Sequence, residues 1–255
     1  MQKAKFSGCI LRVQIKTTEG VSNMTQIQVI AHRGASRAER ENTLAAFRRA
    51  GTIGADAVEL DVRRTSDGAM AVHHDAVLPD GRVICEMTAV ELPEHVPLLP
   101  AALDACEGMW VNIEIKNHPL DVDFDPTDSL AATIATHLAE RGEDHRWLIS
   151  AFNRPTVDAM RTLRPEVRTA WLTEGVRDED LERVARDMAG FGHTALHPYT
   201  KFLNQRCIDV FHSHGLQVNS WTIDDPARMA EVIGWGIDGI CTNVPDVAIQ
   251  VRDAK

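Results

Sequence analysis

Residues 57–75 read AVELDVRRTSDGAMAVHHD, one apolar strand pattern carrying Glu59 and Asp61 and a second ending in His73-His74-Asp75. Side chains alternate faces along a strand, so Glu59 and Asp61 share one side while Val58, Leu60 and Val62 share the other. Two carboxylates so close together in an interior need a cation, either a basic side chain such as Arg63 or Arg64, or a metal. Only RRTSDG separates the two strand patterns, too few residues for a crossover helix. Six extended residues span roughly 20 Å, so an irregular, short connection is expected between the second and third strands.

Outward from this stretch, short β-branched runs alternate with longer segments of helical period from Ile27 onward, the pattern of repeated βα units on a parallel sheet. Strands are predicted at 27–32, 57–62, 69–74, 109–116, 146–151, 168–173, 194–198, 217–223 and 238–241. Helices are predicted at 43–51, 98–107, 127–141, 155–163, 178–189, 203–214 and 226–234. Nine strand candidates point to a TIM (β/α)8 barrel. Asn42, Asp128, Asn153 and Asp225 are expected helix N-caps, and Gly51, Gly142 and Gly215 expected C-caps.

The chain has 255 residues, 44% hydrophobic and 25% charged, which suits a globular protein with a full core. Residues 24–255 are expected to form a single domain. Residues 1–23 are an extension whose apolar positions are interrupted by Arg12, Gln14 and Lys16, so no signal-peptide core forms. Residues 10–15 as an edge strand and residues 1–23 as a dispensable leader both remain open. The net charge of −10 argues against nucleic acid or an anionic membrane as partner. The five scattered cysteines lack zinc spacing and read as reduced thiols of a cytoplasmic protein. Oligomeric state is left open, a homo-oligomer included.

In a TIM barrel the active site sits at the C-terminal ends of the strands. There the expected strands bring Ala31-His32-Arg33-Gly34, Glu59-Leu60-Asp61, His74-Asp75, Glu114-Ile115-Lys116 and Ser220-Trp221-Thr222 to one mouth. The carboxylates Glu59, Asp61 and Glu114 form an all-oxygen set suited to Mg²⁺ or Ca²⁺. His32 and His74 can exchange protons near neutral pH. Arg33 and Lys116 can meet a phosphate. Together these groups describe cleavage of a phosphate ester or diester. The plainer readings are His73 as a hydrogen-bonded histidine, Glu114 paired with Lys116, and Trp221 as barrel core. By the same standard Asn42 is a helix cap, with support of the site by Glu41 as the lesser option, and 121–128 is solvated surface, although it follows Lys116 and could screen or shape the site; His193, His197, His212 and His214 are structural.

The segments HRGAS (32–36), ENTLAAF (41–47), VELDVRRTSDG (58–68), HHDAVL (73–78), NIEIK (112–116), LISAFN (148–153), GLQVNSWTIDD (215–225) and GIDGICTNVPD (236–246) occur in order. In these the chain resembles the glycerophosphodiester phosphodiesterase family. The resemblance implies a TIM barrel with Glu59, Asp61 and Glu114 as metal ligands and His32 and His74 as acid/base pair. It also implies that Arg33 and Lys116 hold the phosphate and that Trp221 lines the glycerol side. The implied reaction converts a glycerophosphodiester to sn-glycerol 3-phosphate and an alcohol, through attack of the glycerol 2-hydroxyl and hydrolysis of a cyclic phosphate. Arg40 stands where the family has proline, and the segment after Asp75 is compact. The alternatives are a lysophospholipase D-like or phospholipase C-like phosphodiesterase on the same barrel, and a catalytically silent barrel that binds phosphorylated ligands.

Overall fold

The computed structural model describes residues 26–254, so the expectations for residues 1–23 lie outside the described residues. In chain order the elements are β1 (Gln28–His32), α1 (Leu44–Ile53), β2 (Ala57–Arg64), β3 (Met70–Val72), α2 (Leu99–Ala105), β4 (Trp110–Ile115), α3 (Ser129–Arg141), β5 (Trp147–Ala151), α4 (Arg154–Leu163), β6 (Arg168–Thr173), α5 (Leu181–Phe191), β7 (Ala195–Pro198), α6 (Gln205–Ser213), β8 (Gln217–Ser220), α7 (Pro226–Gly234), β9 (Gly239–Thr242) and α8 (Pro245–Asp253). All the strands except β3 pair in parallel in the order β1-β9-β8-β7-β6-β5-β4-β2, and β1 pairs with β2 to close a TIM (β/α)8 barrel.

Strands covered on both faces read as continuous buried runs, and β2 is buried from Ala57 through Arg63. Its Val58, Leu60 and Val62 join Phe47, Leu99 and Leu103 in the layer between barrel and helices. The opposite face carries Glu59 and Asp61 inward. Lower in the barrel the filling is apolar, with Ile30, Ala57 and Cys241 in one cluster and Leu148, Ala170 and Ala195 in another, and Trp110 packed against both. A Cβ on Gly239 would come within 2.4 Å of Asn219 Oδ1, so a larger residue there would displace that side chain.

The third predicted strand is not a barrel stave. β3 runs antiparallel to β2, with Val62 opposite Val72 and Arg64 opposite Met70. β2 therefore overshoots the mouth, turns through residues 65–69, and returns as a hairpin; RRTSDG needs no crossover because the chain simply doubles back. The His73 amide then donates to the Asp61 carbonyl at 3.0 Å, which sets His74 beside the barrel mouth.

The helix starts differ in detail. Thr43, not Asn42, caps α1, accepting from the Ala46 amide, and Gly54 rather than Gly51 ends it. Asp225 caps α7 through the Ala227 amide. Asp128 and Asn153 occupy N-cap positions without a side-chain capping bond. Gly142 ends α3, whereas α6 ends at His214, one residue before Gly215. α8, beginning at Pro245, extends beyond the last predicted element. Cys85, Cys106, Cys207 and Cys241 are free. Among the described residues no helix is long and apolar enough to cross a membrane.

Candidate active site

Where β1 leaves the barrel, Arg33 takes a left-handed φ of 55° and Gly34 follows at φ 82°. A Cβ on Gly34 would lie 2.7 Å from Ala46, so the turn needs glycine there. This tight turn aims the Arg33 amide at Glu59 Oε2 (3.0 Å) and its guanidinium at Glu41 (3.0 Å) and Asp61 (3.2 Å). His32 ends β1 inside the mouth. Its Nδ1 lies 2.7 Å from Asn243 Oδ1, while Asn243 Nδ2 donates to Asp224. Because the Asn243 oxygen can only accept, His32 carries its proton on Nδ1 and turns a free Nε2 toward the site, 3.9 Å from Glu59. Burial, with Arg33 nearby, lowers the His32 pKa and favours the neutral ring.

Glu59, Asp61 and Glu114 bring ligand oxygens within 4.8 Å of one another, all buried. Register explains this, because Glu59 is level with His32 on β1 while Asp61 is level with Glu114 on β4. Lys116 lies 2.8 Å from Glu114 and 3.5 Å from Asp61. Asn42 donates to Asp61 at 2.8 Å. Burial raises the Asp61 carboxyl, but Lys116, Arg33 and Asn42 overcome it and hold the pKa at about 2. Glu59 goes the other way: burial first, then the neighbouring Asp61 and Glu114 charges, push it well above the ordinary range. Glu114 is likewise raised, mainly by burial. Glu59 Oε1 is buried without a hydrogen-bond partner. An orphaned oxygen among three converging carboxylates is the donor set a hard divalent cation fits.

His74 faces these groups from the hairpin. It is half-buried, and its Nδ1 lies 2.7 Å from Asp75 Oδ1. Burial lowers its pKa, with Asp61 opposing. The opposite wall holds Trp221, whose ring nitrogen donates to the His197 carbonyl at 2.8 Å and whose ring packs perpendicular to that of Phe152, with centroids 5.4 Å apart. Inside, a chamber of about 50 Å³ is lined by His32, Arg33, Glu59, His74, Glu114, Lys116, Trp221 and neutral groups. It adjoins an open groove of about 560 Å³ past His74, Lys116 and Phe152.

All the residues expected at the site, His32, His74, Arg33, Lys116, Trp221, Glu59, Asp61 and Glu114, therefore meet at one mouth. Glu41 takes the supporting role weighed for it and holds Arg33. Other supporting roles were not expected: Asn42 secures Asp61 rather than a helix start. Asp75 and Asn243 orient the two histidines, and Phe152 completes the aromatic wall. The HHD triplet offered a signal for Asp75; nothing in the sequence linked His32 to Asn243, 211 positions away. Arg63, weighed as a partner of Glu59 and Asp61, instead pairs with Asp121 and Asp123. The segment 121–128 is accordingly not simply solvated surface.

The barrel mouth gathers three buried carboxylates, two histidines, an arginine and a lysine, and, by the family it matches, the protein is a phosphoric diester hydrolase of the TIM-barrel type. Residues 32–247 match the model of the glycerophosphoryl diester phosphodiesterase family, and the chain belongs to that family. It is 26% identical to a glycerophosphodiester phosphodiesterase of Bacillus subtilis, over 89% of this chain and 87% of that one. It is 28% identical to one of Caldanaerobacter subterraneus, over 88% and 96%. Among solved structures, a phosphodiesterase of Oleispira antarctica, in complex with the product sn-glycerol-3-phosphate, superposes with a TM-score of 0.79 at 25% identity, covering 89% of this chain and 96% of that one.

Proposed function

We propose that the protein hydrolyses glycerophosphodiesters to sn-glycerol 3-phosphate and an alcohol, with a divalent cation held by Glu59, Asp61 and Glu114 and with His32 and His74 moving the protons. The observation that carries this is the convergence of three buried carboxylates, one with an unpartnered oxygen, on the same mouth as His32, His74, Arg33 and Lys116. An oxygen donor set that lacks a partner suits a divalent cation, and a cation beside an arginine and a lysine suits an anionic phosphodiester. The product-bound Oleispira relative supports the same substrate class. Mg²⁺ and Ca²⁺ both suit the oxygen donors.

When bound, the cation supplies Lewis-acid polarisation of a phosphoryl oxygen. Arg33 and Lys116 offset the carboxylates and add positive charge where the phosphoryl oxygens gain negative charge. His32, locked with its proton on Nδ1, is the base that takes a proton from the attacking hydroxyl at Nε2. His74 lines both the inner chamber and the open groove, a position suited to protonating the departing alkoxide. Trp221 and Phe152 bound the chamber with apolar surface and exclude water from that side.

Lysophospholipids are a second substrate class, favoured by exposed apolar side chains at the mouth. Val77 lines the groove, and Leu120 and Val122, 88% and 65% exposed, flank the groove residue Asp121. A panel of glycerophosphodiesters and lysophospholipids, assayed for glycerol 3-phosphate release in chelator and after adding back Mg²⁺ or Ca²⁺, tests both parts. Loss of activity in EDTA and its return with metal is the expected result. Full turnover in metal-free buffer would refute the cation site, and no release from any glycerophosphodiester would refute the substrate class.

A further inference from the structure

Arg63 is 3% exposed, and the chemistry described above makes no use of it. Strand alternation puts it on the face of Glu59 and Asp61, one step above them where β2 overshoots the mouth. Its guanidinium is nevertheless spent elsewhere. Nε donates to the His74 carbonyl at 2.7 Å, Nη1 to both oxygens of Asp123 at 2.8 and 2.7 Å, and Nη2 to Asp121 Oδ2 at 3.1 Å. Asp123 is as buried as the arginine, with 4% of its side chain exposed. One planar group thus ties together β2, the turn after β3, and the loop between β4 and α3.

His74 needs such an anchor. The β2–β3 pairing ends at Val72, and the His73 amide makes the last backbone bond back to β2. Among the described residues, the hydrogen bond to the His74 main chain is the one from Arg63. The ring's own partner, Asp75, is 72% exposed on its side chain, so water competes for that bond, whereas the Arg63 that bonds the His74 main chain is buried. A buried arginine whose charge is met by two carboxylates is held in one geometry, because each partner left unpaired would be a costly buried charge.

We propose that Arg63, braced by Asp121 and Asp123, is a positioning residue that fixes His74 for proton delivery to the leaving alcohol. This rests on the assignment of His74 as the proton donor. A proton donor displaced by about 1 Å loses on the order of 10²-fold in rate. Arg63→Lys keeps a positive charge for Asp123 but cannot also reach the His74 carbonyl and Asp121, since an ammonium lacks the planar fork.

The test compares two glycerophosphodiesters with the metal-loaded, full-length enzyme, one with an alkyl alcohol as leaving group and one with a nitrophenol that departs without a proton. Arg63→Lys is expected to lower kcat on the alkyl diester by about 10- to 100-fold at little cost in KM. The nitrophenyl diester should lose under about threefold, because donor placement no longer matters. In a His74→Ala background Arg63→Lys should cost nothing more. Equal losses on both substrates, an unchanged kcat on the alkyl diester, or additive losses with His74→Ala would each overturn the proposal. If His74→Ala itself lacks the leaving-group dependence, the donor assignment fails instead. Should Arg63→Lys fold poorly, Asp121→Asn leaves the buried Asp123 pair intact and should show the same substrate split at smaller size; its absence counts against the proposal.

Discussion

The two halves of the barrel mouth are built on opposite electrostatic plans. The ends of β1, β2 and β4 carry the site's charged groups, Arg33, Glu59, Asp61, Glu114 and Lys116, beside the neutral His32. The staves β6 to β9 present Leu172, His197, Asn219, Trp221 and Cys241, all uncharged. On the charged side each group is fixed by a neighbour of opposite sign or by an amide, as Asn42 fixes Asp61. The uncharged side forms a low-dielectric wall, which strengthens the field that the charged side projects. One half supplies the charge and the other sets how strongly it is felt.

Deleting a proton-carrying group from the charged half should give the largest effect. His32→Ala and His74→Ala are each expected to lower kcat by roughly 10²–10⁴-fold, read in steady-state assays on a glycerophosphodiester. Unchanged turnover in either variant would remove that histidine from the chemistry and leave the contrast between the halves without a catalytic meaning.

The neutral half is tested by stability against pH. Burial, with a smaller contribution from Arg168, drives the His197 pKa down to about 3, so this ring is uncharged in the folded protein. The unfolded chain binds the proton near 6.5. His197 therefore withholds nothing from stability above that pH, and stability is lost as pH falls from there toward 3. At pH 5 the loss is about 2 kcal/mol. Urea unfolding at pH 7 and pH 5 should show a smaller drop for His197→Gln than for the parent. An identical drop would mean that His197 accepts a proton in place, and that this wall is not neutral after all.

The smallest effect is expected from thinning the wall itself. Trp221→Ala removes the indole that meets Phe152 and should raise KM by about tenfold while kcat stays within about threefold. A kcat loss as large as that of the histidine variants would place Trp221 among the groups that stabilise the transition state and blur the division.

Much of this could be read in the chain because it follows local periodicity. The eight staves lie within a few residues of their predicted bounds, and Glu59, Asp61 and Glu114 are inward simply by alternation from buried Val58, Leu60 and Ile113. Where the sequence misled, the deciding contact was distant. Arg63 sits two residues from Asp61, yet its partners Asp121 and Asp123 come from a loop 58 and 60 positions on. Asn42 looked like a helix cap because caps and carboxylate clamps use the same amide; only the fold puts Asp61 within its reach. α8 escaped notice because a short amphipathic helix after the last stave has no following strand to delimit it.

The β2–β3 hairpin has a consequence for how such a site can vary. A site residue on a stave cannot shift without breaking the barrel, whereas His74 follows a two-stranded arm whose tip, residues 65–69, lies beyond the closed sheet. Lengthening the arm by matched residues on both strands leaves each side chain on its original face, while one unmatched residue turns His74 away from the mouth. The arm obeys a parity rule: its tip can grow by matched pairs outside the eightfold frame while the bond from the His73 amide to Asp61 keeps His74 at the mouth.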